Sequence, residues 1–271
     1  MKISLFFCLW FCVFAAPLWA SDLTQGGPFE AQGPYLDQGL FEENYILPLT
    51  ERAKAPQDGR TEEIQFRFSL YQKVELAQQR FYVAFTQTSF WQAYDLEHSR
   101  PFRETNYNPE LFWATNPLEV LWHPWLHLGF EHESNGGREP YSRSWNRIYA
   151  RLGLAGDHWK LRHKFFWRLS EPAKQYPLDP KGDENPEIVD YYGLNEMELV
   201  WTDEQKVWQL HGRFRYNLSK TRGASELNLT YPVGMNGTFL TLQYFQGYGE
   251  SLSDYNHQVS KVGLGFSLNR P

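Results

Sequence analysis

Apolar and polar residues alternate with a period of two along most of this chain. From Ile64 to Leu70, for example, every second residue is apolar and each residue between them is polar. Because successive side chains of a β-strand point to opposite faces, this pattern predicts strands with one apolar and one polar face. The segments predicted as strands are 44–52, 62–72, 81–93, 104–115, 125–134, 143–154, 159–169, 191–201, 207–217, 223–231, 238–247 and 258–268.

The number and length of these segments indicate a particular all-β architecture. Strands of roughly 9–11 residues, even in number, are typical of a transmembrane antiparallel β-barrel. An aromatic content of 17%, with 11 Trp and 16 Tyr, suits the aromatic girdles of such a barrel. We therefore predict a closed barrel of about twelve strands, as outer-membrane barrels form, with a soluble β-sandwich as the alternative fold.

The polar faces of the predicted strands carry both positive and negative charge. In a barrel the apolar faces would meet lipid and the polar faces would fill the lumen. Opposite charges in a lumen can pair with one another, so we expect a hydrogen-bonded plug, with a narrow channel as the alternative. The charged residues predicted to point inward are Arg67, Arg162, Lys164, Arg213, Lys261, Glu131, Glu196, Glu198 and Glu226.

The pattern changes at the start of the chain. Residues 1–20 are an apolar run with one lysine that ends in the small residue Ala20, as a secretory signal peptide does, and a retained anchor is the alternative. Residues 21–43, rich in Gly, Pro and acidic residues, are predicted to be a periplasmic N-terminal segment. Residues 44–271 are then the barrel domain.

Two properties of the predicted mature chain exclude classes of function. Cys8 and Cys12 both lie in the predicted signal peptide, so the mature chain would have no disulfide and no cysteine nucleophile. Without that peptide the chain has 25 basic and 32 acidic residues, a net charge of about −7. This excess of negative charge disfavours nucleic acid as a partner.

Residues 126–154 place three polar residues on apolar faces. His132 and Ser134 share the apolar face of one predicted strand, and Asn146 lies on that of the next. A hairpin centred near Glu139 would place His132 opposite Asn146, where paired Cβ atoms are roughly 5 Å apart. These residue types can act as a nucleophile, a base and an orienting group. The alternative is that Ser and Asn serve the turn and that the histidine lies at the membrane interface.

Four motifs stand out in and around this hairpin. They are HESNG at 132–136, SRSWNR at 142–147, PFRETNY at 101–107 and GYGESLSDYN at 247–256. In these motifs the chain resembles the outer-membrane phospholipase A family. The resemblance implies a phospholipase A1/A2 of the bacterial outer membrane that hydrolyses acyl esters of phospholipids and lysophospholipids with a Ser134, His132 and Asn146 triad. The alternative from another class is a non-enzymatic barrel, a narrow porin or adhesin with a vestigial site.

By the same resemblance, the enzyme would bind calcium. The matching ligands are the Gly137 carbonyl, the Ser142 hydroxyl and Ser99 of a second copy of the chain. The family usually has Arg where this chain has Gly137, but a backbone carbonyl is indifferent to that change. Ligands without a carboxylate predict a weak site, on the order of 0.1–1 mM or poorer. Residues 179–187 are acidic but lack the spacing of a calcium loop, so we predict a solvated connection there.

Gln87 interrupts the apolar face of the strand predicted at 81–93. An amide without a partner in hydrocarbon is destabilising, so a partner is expected. The resemblance implies that Gln87 lies in a homodimer interface, and the alternative is a hydrated position at the membrane surface. We expect the dimer to be the active form because the implied calcium ligands come from two chains.

Overall fold

The computed structural model describes residues 38–271, apart from residues 55, 57, 58, 77, 78, 177, 180, 235 and 236. The predicted signal peptide and residues 21–37 lie outside the described residues. Within the described part of the chain, no helix is long and apolar enough to cross a membrane. The elements in chain order are β1 (Gln38–Leu40), β2 (Tyr45–Arg52), β3 (Glu62–Leu76), β4 (Gln79–Trp91), β5 (Phe102–Ala114), β6 (Trp125–Ser134), β7 (Ser144–Ala155), β8 (Trp159–Arg168), α1 (Ile188–Tyr192), β9 (Asn195–Thr202), β10 (Gln209–Asn217), β11 (Arg222–Pro232), β12 (Phe239–Tyr248) and β13 (Gln258–Ser267).

Strands β2 to β13 form a closed barrel. Each pairs in antiparallel fashion with the next strand along the chain, and β13 pairs with β2 to complete the ring. Among the described strands β2 to β13, closure leaves none with an unpaired edge, which is what a β-structure in a lipid bilayer requires. The predicted all-β, twelve-stranded antiparallel barrel is confirmed.

The predicted strands match the observed ones in order, with one local error. The sequence predicted a strand over residues 191–201, whereas α1 includes Tyr191 and Tyr192, and β9 begins only at Asn195. Gly193 follows the helix with a φ of 74°, a conformation that glycine adopts without steric cost. The helix directs Tyr192 into the barrel, where its ring lies 5.1 Å from that of Trp145.

The lumen is filled by paired charges. Glu131 forms ion pairs with Arg147 at 2.9 Å and with Lys164 at 2.5 Å. Arg162 forms an ion pair with Glu198 further along the barrel. The charged residues predicted to point inward are buried or line a lumenal cavity of about 150 Å³. The prediction of a mixed-charge, hydrogen-bonded interior is therefore confirmed.

The outer surface of the barrel is apolar. Large side chains that alternate with the lumenal residues are exposed, among them Leu70 at 57%, Leu111 at 49% and Leu152 at 51%. In a protein surrounded by water, so much exposed apolar surface would be unfavourable. The same surface is suited to contact with lipid chains.

The first strand of the barrel wall is interrupted. β1 and β2 lie along the same edge of β3, at residues 70–72 and 62–67 respectively. Residues 41–44 between them turn into the barrel and are buried. At this gap the Asn44 side chain takes the place of a neighbouring strand, because its Oδ1 accepts from Ser69 N at 2.7 Å and its Nδ2 donates to Ser69 O at 3.0 Å. Strand β1, which pairs with the barrel wall, thus lies within residues 21–43, the predicted periplasmic N-terminal segment.

We expect Asn44→Ala to destabilise the barrel by about 1–3 kcal/mol, because Ser69 N would lose its partner and the Ser69 carbonyl would keep only its bond from Phe41 N. Denaturant unfolding, followed by the loss of heat-modifiable gel migration, measures this change. Asn256→Ala is the matched control, since Asn256 is exposed in a loop and its replacement should change stability by less than about 0.5 kcal/mol. Equal stability of the two variants would contradict the structural role of Asn44.

Candidate active site

The candidate site lies on β6 and β7, close to the loop that joins them. Backbone pairing places His132 opposite Asn146 and Ser134 opposite Ser144. Their side chains point away from the lumen, because the residues that alternate with them, such as the fully buried Glu131, point inward. The hairpin register predicted from the sequence is confirmed.

His132 and Asn146 are in direct contact on the outer surface. Nδ1 of His132 lies 2.9 Å from Oδ1 of Asn146. A carbonyl oxygen can only accept, so in a neutral imidazole this contact places the proton on Nδ1 and leaves the lone pair on Nε2. The other end of the same amide is also engaged, because Nδ2 of Asn146 donates to Oε1 of Glu171 at 3.2 Å. The imidazole is thus held in the tautomer that a general base needs.

Ser134 lies beside this pair but is not bonded to it. It follows His132 by two positions on the same face of β6, a separation of about 6.5 Å along the strand. Among the described residues, its hydroxyl has no hydrogen-bond partner, and its cross-strand neighbours are Tyr107 on β5 and Ser144 on β7. Contacts between a nucleophile and its base are often long before substrate binds, so the arrangement is compatible with catalysis.

The inward side of the hairpin forms a rigid support for these residues. Glu133 accepts hydrogen bonds from Nε1 of Trp145 and from Nη2 of Arg147, each at 2.9 Å. The Arg147 guanidinium also lies 3.8 Å from the centre of the buried Trp145 ring. Because side chains alternate along a strand, fixing Glu133 and Trp145 also fixes the backbone that carries His132 and Asn146.

Asn135 organises the loop between β6 and β7. Its Oδ1 accepts hydrogen bonds from Gly137 N at 3.0 Å and from Arg143 N at 2.9 Å. Its Nδ2 donates to the Tyr141 carbonyl at 2.9 Å. Asn135 was not among the predicted site residues, although it lies within the HESNG motif. Its contacts hold the loop directly after Ser134.

Two of the three predicted calcium ligands lie in this loop. Gly137 and Ser142 are both part of it, whereas Ser99 lies in the separate loop between β4 and β5 and has a positive φ of 60°. The Ser142 hydroxyl donates to Oε1 of Glu184 at 2.7 Å. Within the described part of the chain, no three His, Asp or Glu side chains are grouped so as to hold a metal ion.

An outer loop, formed by residues 169–187 without residues 177 and 180, covers the side of the hairpin. Glu171 of this loop accepts the hydrogen bond from Asn146 described above. Glu184 accepts hydrogen bonds from the hydroxyl of Ser142, at 2.7 Å, and from that of Ser144, at 3.0 Å. Lys174 forms an ion pair with Glu139 of the hairpin loop at 2.6 Å. The prediction of a solvated connection at residues 179–187 is therefore wrong for Glu184. No local pattern signalled these contacts, because they join residues 25 to 42 positions apart.

Gln87 belongs to a short row of polar side chains on the outer surface. Its Nε2 donates to the Ser89 hydroxyl at 3.1 Å, and that hydroxyl lies 3.0 Å from Oγ1 of Thr105 on β5. Tyr107, the cross-strand neighbour of Gln87, is also that of Ser134. A single residue, Tyr107 of β5, thus lies between Gln87 and Ser134 across the strands.

The whole chain can be compared with known proteins. The family profile named Phospholipase A1 matches residues 40–268. This chain belongs to the phospholipase A1 family. Phospholipase A1 of Escherichia coli strain K12 is 32% identical over 245 residues, which cover 84% of this chain and 80% of that protein. Membership supports a phospholipase and disfavours a non-enzymatic porin or adhesin.

Solved structures of outer-membrane phospholipases share the fold of this family member. The Salmonella typhi outer membrane phospholipase, a dimer with bound calcium, aligns with a TM-score of 0.76 and 30% identity over 91% of this chain and 95% of that chain. An Escherichia coli outer membrane phospholipase A, with an active-site asparagine replaced by alanine, aligns with a TM-score of 0.77 and 29% identity over 92% and 96%. The chain is an outer-membrane phospholipase A whose strands cross that membrane repeatedly.

Proposed function

We propose that this phospholipase cleaves acyl esters of phospholipids and lysophospholipids, at either acyl position, with Ser134 as the nucleophile, His132 as the general base and Asn146 as the residue that orients the imidazole. The contact between His132 and Asn146, made on the lipid-facing surface beside Ser134, carries this proposal. The related Escherichia coli structure with a mutated active-site asparagine supports a catalytic role for an asparagine.

In the proposed reaction, Ser134 Oγ attacks the ester carbonyl while Nε2 of His132 takes its proton. The imidazolium then gives the proton to the leaving alcohol as the ester bond breaks. Water next attacks the acyl-enzyme with His132 again as base, the bond between Ser134 Oγ and the acyl group breaks to release the fatty acid, and His132 returns the proton to Ser134 Oγ. Asn146 keeps the Nδ1 proton directed at its own carbonyl oxygen throughout. An asparagine suits this surface because an uncompensated carboxylate facing hydrocarbon would be several kcal/mol less favourable than an amide.

We expect graded losses when the triad residues are replaced. Ser134→Ala and His132→Ala should each lower the rate of fatty-acid release by about 10³-fold or more. The losses should be of similar size because removing either residue disables the whole catalytic unit. Asn146→Ala should keep roughly 1–10% of activity, since it removes one hydrogen bond to an imidazolium. Fatty-acid release from mixed micelles by refolded protein measures these losses, and heat-modifiable migration reports on folding.

Ser225→Ala on β11 is the matched control, since this serine lies in another part of the barrel wall and its replacement should leave activity unchanged. High activity in the Ser134→Ala variant would disprove the triad. Full activity in Asn146→Ala would show that its contact with His132 has no role in the reaction.

We propose calcium as the cofactor, held by the Gly137 carbonyl and the Ser142 hydroxyl of one chain and by Ser99 of a second copy. The donor chemistry fits, because all of these are oxygen atoms and the Glu184 carboxylate lies against the Ser142 hydroxyl. That carboxylate adds negative charge, so we expect tighter binding than hydroxyl and carbonyl ligands alone would give. Bound calcium would supply positive charge to stabilise the oxyanion. The calcium-bound Salmonella typhi relative supports this assignment.

We propose that the active form is a homodimer with its contact at Gln87. Polar side chains that face lipid gain by pairing with a second protein surface. Gln87 is half-buried on the outward face of β4, next to the site, and the fully buried Ser89 links it to Thr105. If calcium binds between two chains, dimerisation and calcium affinity are coupled and strengthen each other by the same factor. A phospholipase controlled in this way would spare its own membrane while monomeric. The dimeric Salmonella typhi relative supports the proposal.

We expect a monomer with little activity in chelator and an active dimer in calcium with lipid substrate. Gln87→Ala should raise the calcium concentration for half-maximal activity several-fold, because it weakens the dimer by about 1 kcal/mol. Analytical ultracentrifugation in detergent, run with activity assays across a calcium titration, measures both effects. Gln246→Ala on β12 is the matched glutamine control. A fully active monomer, or activity unchanged in chelator, would reject this control mechanism while leaving the triad in place.

A further inference from the structure

Glu171 of the outer loop contacts the proposed triad from behind. Its Oε1 accepts a hydrogen bond from Nδ2 of Asn146 at 3.2 Å, while Oδ1 of that amide faces His132 at 2.9 Å. We infer that Glu171 is a positioning residue, which sets the orientation of the Asn146 amide and through it the tautomer of His132. This inference rests on the proposed triad.

The two ends of an amide are unlike, since its oxygen accepts hydrogen bonds and its nitrogen donates them. In the orientation observed, Oδ1 of Asn146 accepts the Nδ1 proton of His132, and Nε2 remains free to take the serine proton. In the flipped orientation, the amide NH₂ would face Nδ1 and would favour a proton on Nε2. Such an imidazole cannot act as a base toward Ser134. An asparagine by itself does not choose between these orientations.

The Glu171 carboxylate favours one of the two orientations of the Asn146 amide. An ionised carboxylate only accepts hydrogen bonds, so Glu171 can pair with Nδ2 of Asn146 but not with its Oδ1. A flip would break the bond to Glu171 and bring two acceptor oxygens together. The observed orientation is therefore favoured at both ends of the amide, and the free lone pair of His132 is directed away from Asn146.

Glu171 also supplies the charge that an asparagine lacks. When His132 becomes an imidazolium during the reaction, a negative charge one hydrogen bond beyond Asn146 stabilises it by polarising the amide. Glu171 is half-buried in the outer loop rather than on a lipid-facing strand. Its charge can therefore stay partly hydrated, so the site avoids the unfavourable transfer of a carboxylate into hydrocarbon.

The fold holds Glu171 in place from both sides. Before it, Leu169 N donates to the Asn146 carbonyl at 2.8 Å, which continues the pairing of β8 with β7. After it, Asp183 N donates to the Pro172 carbonyl at 2.8 Å, and Lys174 bonds to Glu139. These contacts attach the loop to the hairpin, so the Glu171 carboxylate is presented to Asn146 by ordered backbone.

Glu171→Gln tests the inference with little change of shape. The glutamine side chain can either donate or accept, so both amide orientations of Asn146 become satisfied and the charge is lost. We expect kcat to fall about tenfold with KM nearly unchanged. Glu171→Asp keeps an acceptor-only carboxylate on a shorter arm and should recover part of that loss. Unchanged kcat in Glu171→Gln, or Glu171→Asp no better than Glu171→Gln, would overturn the inference.

Coupling to Asn146 separates positioning from a general effect on the loop. In an Asn146→Ala background, adding Glu171→Gln should cause no further loss, because the amide that Glu171 orients is gone. If kcat of the double variant falls by the product of the two separate losses, the inference is overturned. Asp179→Asn is the matched loop control. The Asp179 carboxylate accepts from Lys181 N and Gln175 N, bonds that lower its pKa, and it has no contact with Asn146. We expect nearly full activity from that variant, and a loss equal to that of Glu171→Gln would overturn positioning.

Labelling by a fluorophosphonate reports on the reactivity of Ser134 without lipid substrate. Wild-type protein should be labelled at Ser134, and Glu171→Gln should be labelled about tenfold more slowly. Labelling of Ser134 at the wild-type rate in Glu171→Gln would overturn the role of Glu171 alone. Failure to label wild-type Ser134, together with an active Ser134→Ala variant, would overturn the triad and this inference with it.

Discussion

Every backbone N–H and C=O group inside a lipid bilayer needs a partner within the protein, because no water is present to bond it. The closed ring of strands β2 to β13 meets this requirement, and the rest of the molecule follows from it. Where the wall is interrupted after β1, the Asn44 side chain supplies the bonds that a strand would have made to Ser69. Closure also fixes which side chains point to lipid and which point to the lumen, since their directions alternate along each strand.

The position of the candidate site is a consequence of that alternation. The positions of β6 and β7 that point toward lipid include His132, Ser134 and Asn146. The positions that alternate with them, including Glu131, Glu133 and Arg147, point into the lumen. An enzyme that acts on lipid chains can receive its substrate from the side, without passage through the charged interior. The lumenal ion pairs act as support, because they hold the inner faces of the two strands that carry the site. The residues proposed for catalysis and the ion pairs that support the barrel thus lie on opposite faces of the same hairpin.

The outer loop adds negative charge where the barrel wall cannot carry it. A carboxylate on the lipid-facing side of β7 would be poorly solvated, and the strand carries a neutral asparagine there. Glu171 and Glu184, from the half-hydrated loop, instead reach Asn146 and the serines of the hairpin. Glu171 contacts the amide next to His132, and Glu184 contacts the hydroxyl proposed as a calcium ligand.

The sequence alone determined the strand pattern, the inward charges, and the pairing of His132 with Asn146. These depend on a period of two and on a short hairpin, both of which are local properties of the chain. The mistaken strand at 191–192 arose because aromatic residues that face inward from a helix resemble those of a strand over so short a length. The Asn44 contact, and the approach of Glu171 and Glu184 to the site, were decided only by the tertiary structure. Each joins residues of different elements, and hydrogen bonds between a loop and a distant hairpin leave no periodic trace in the sequence.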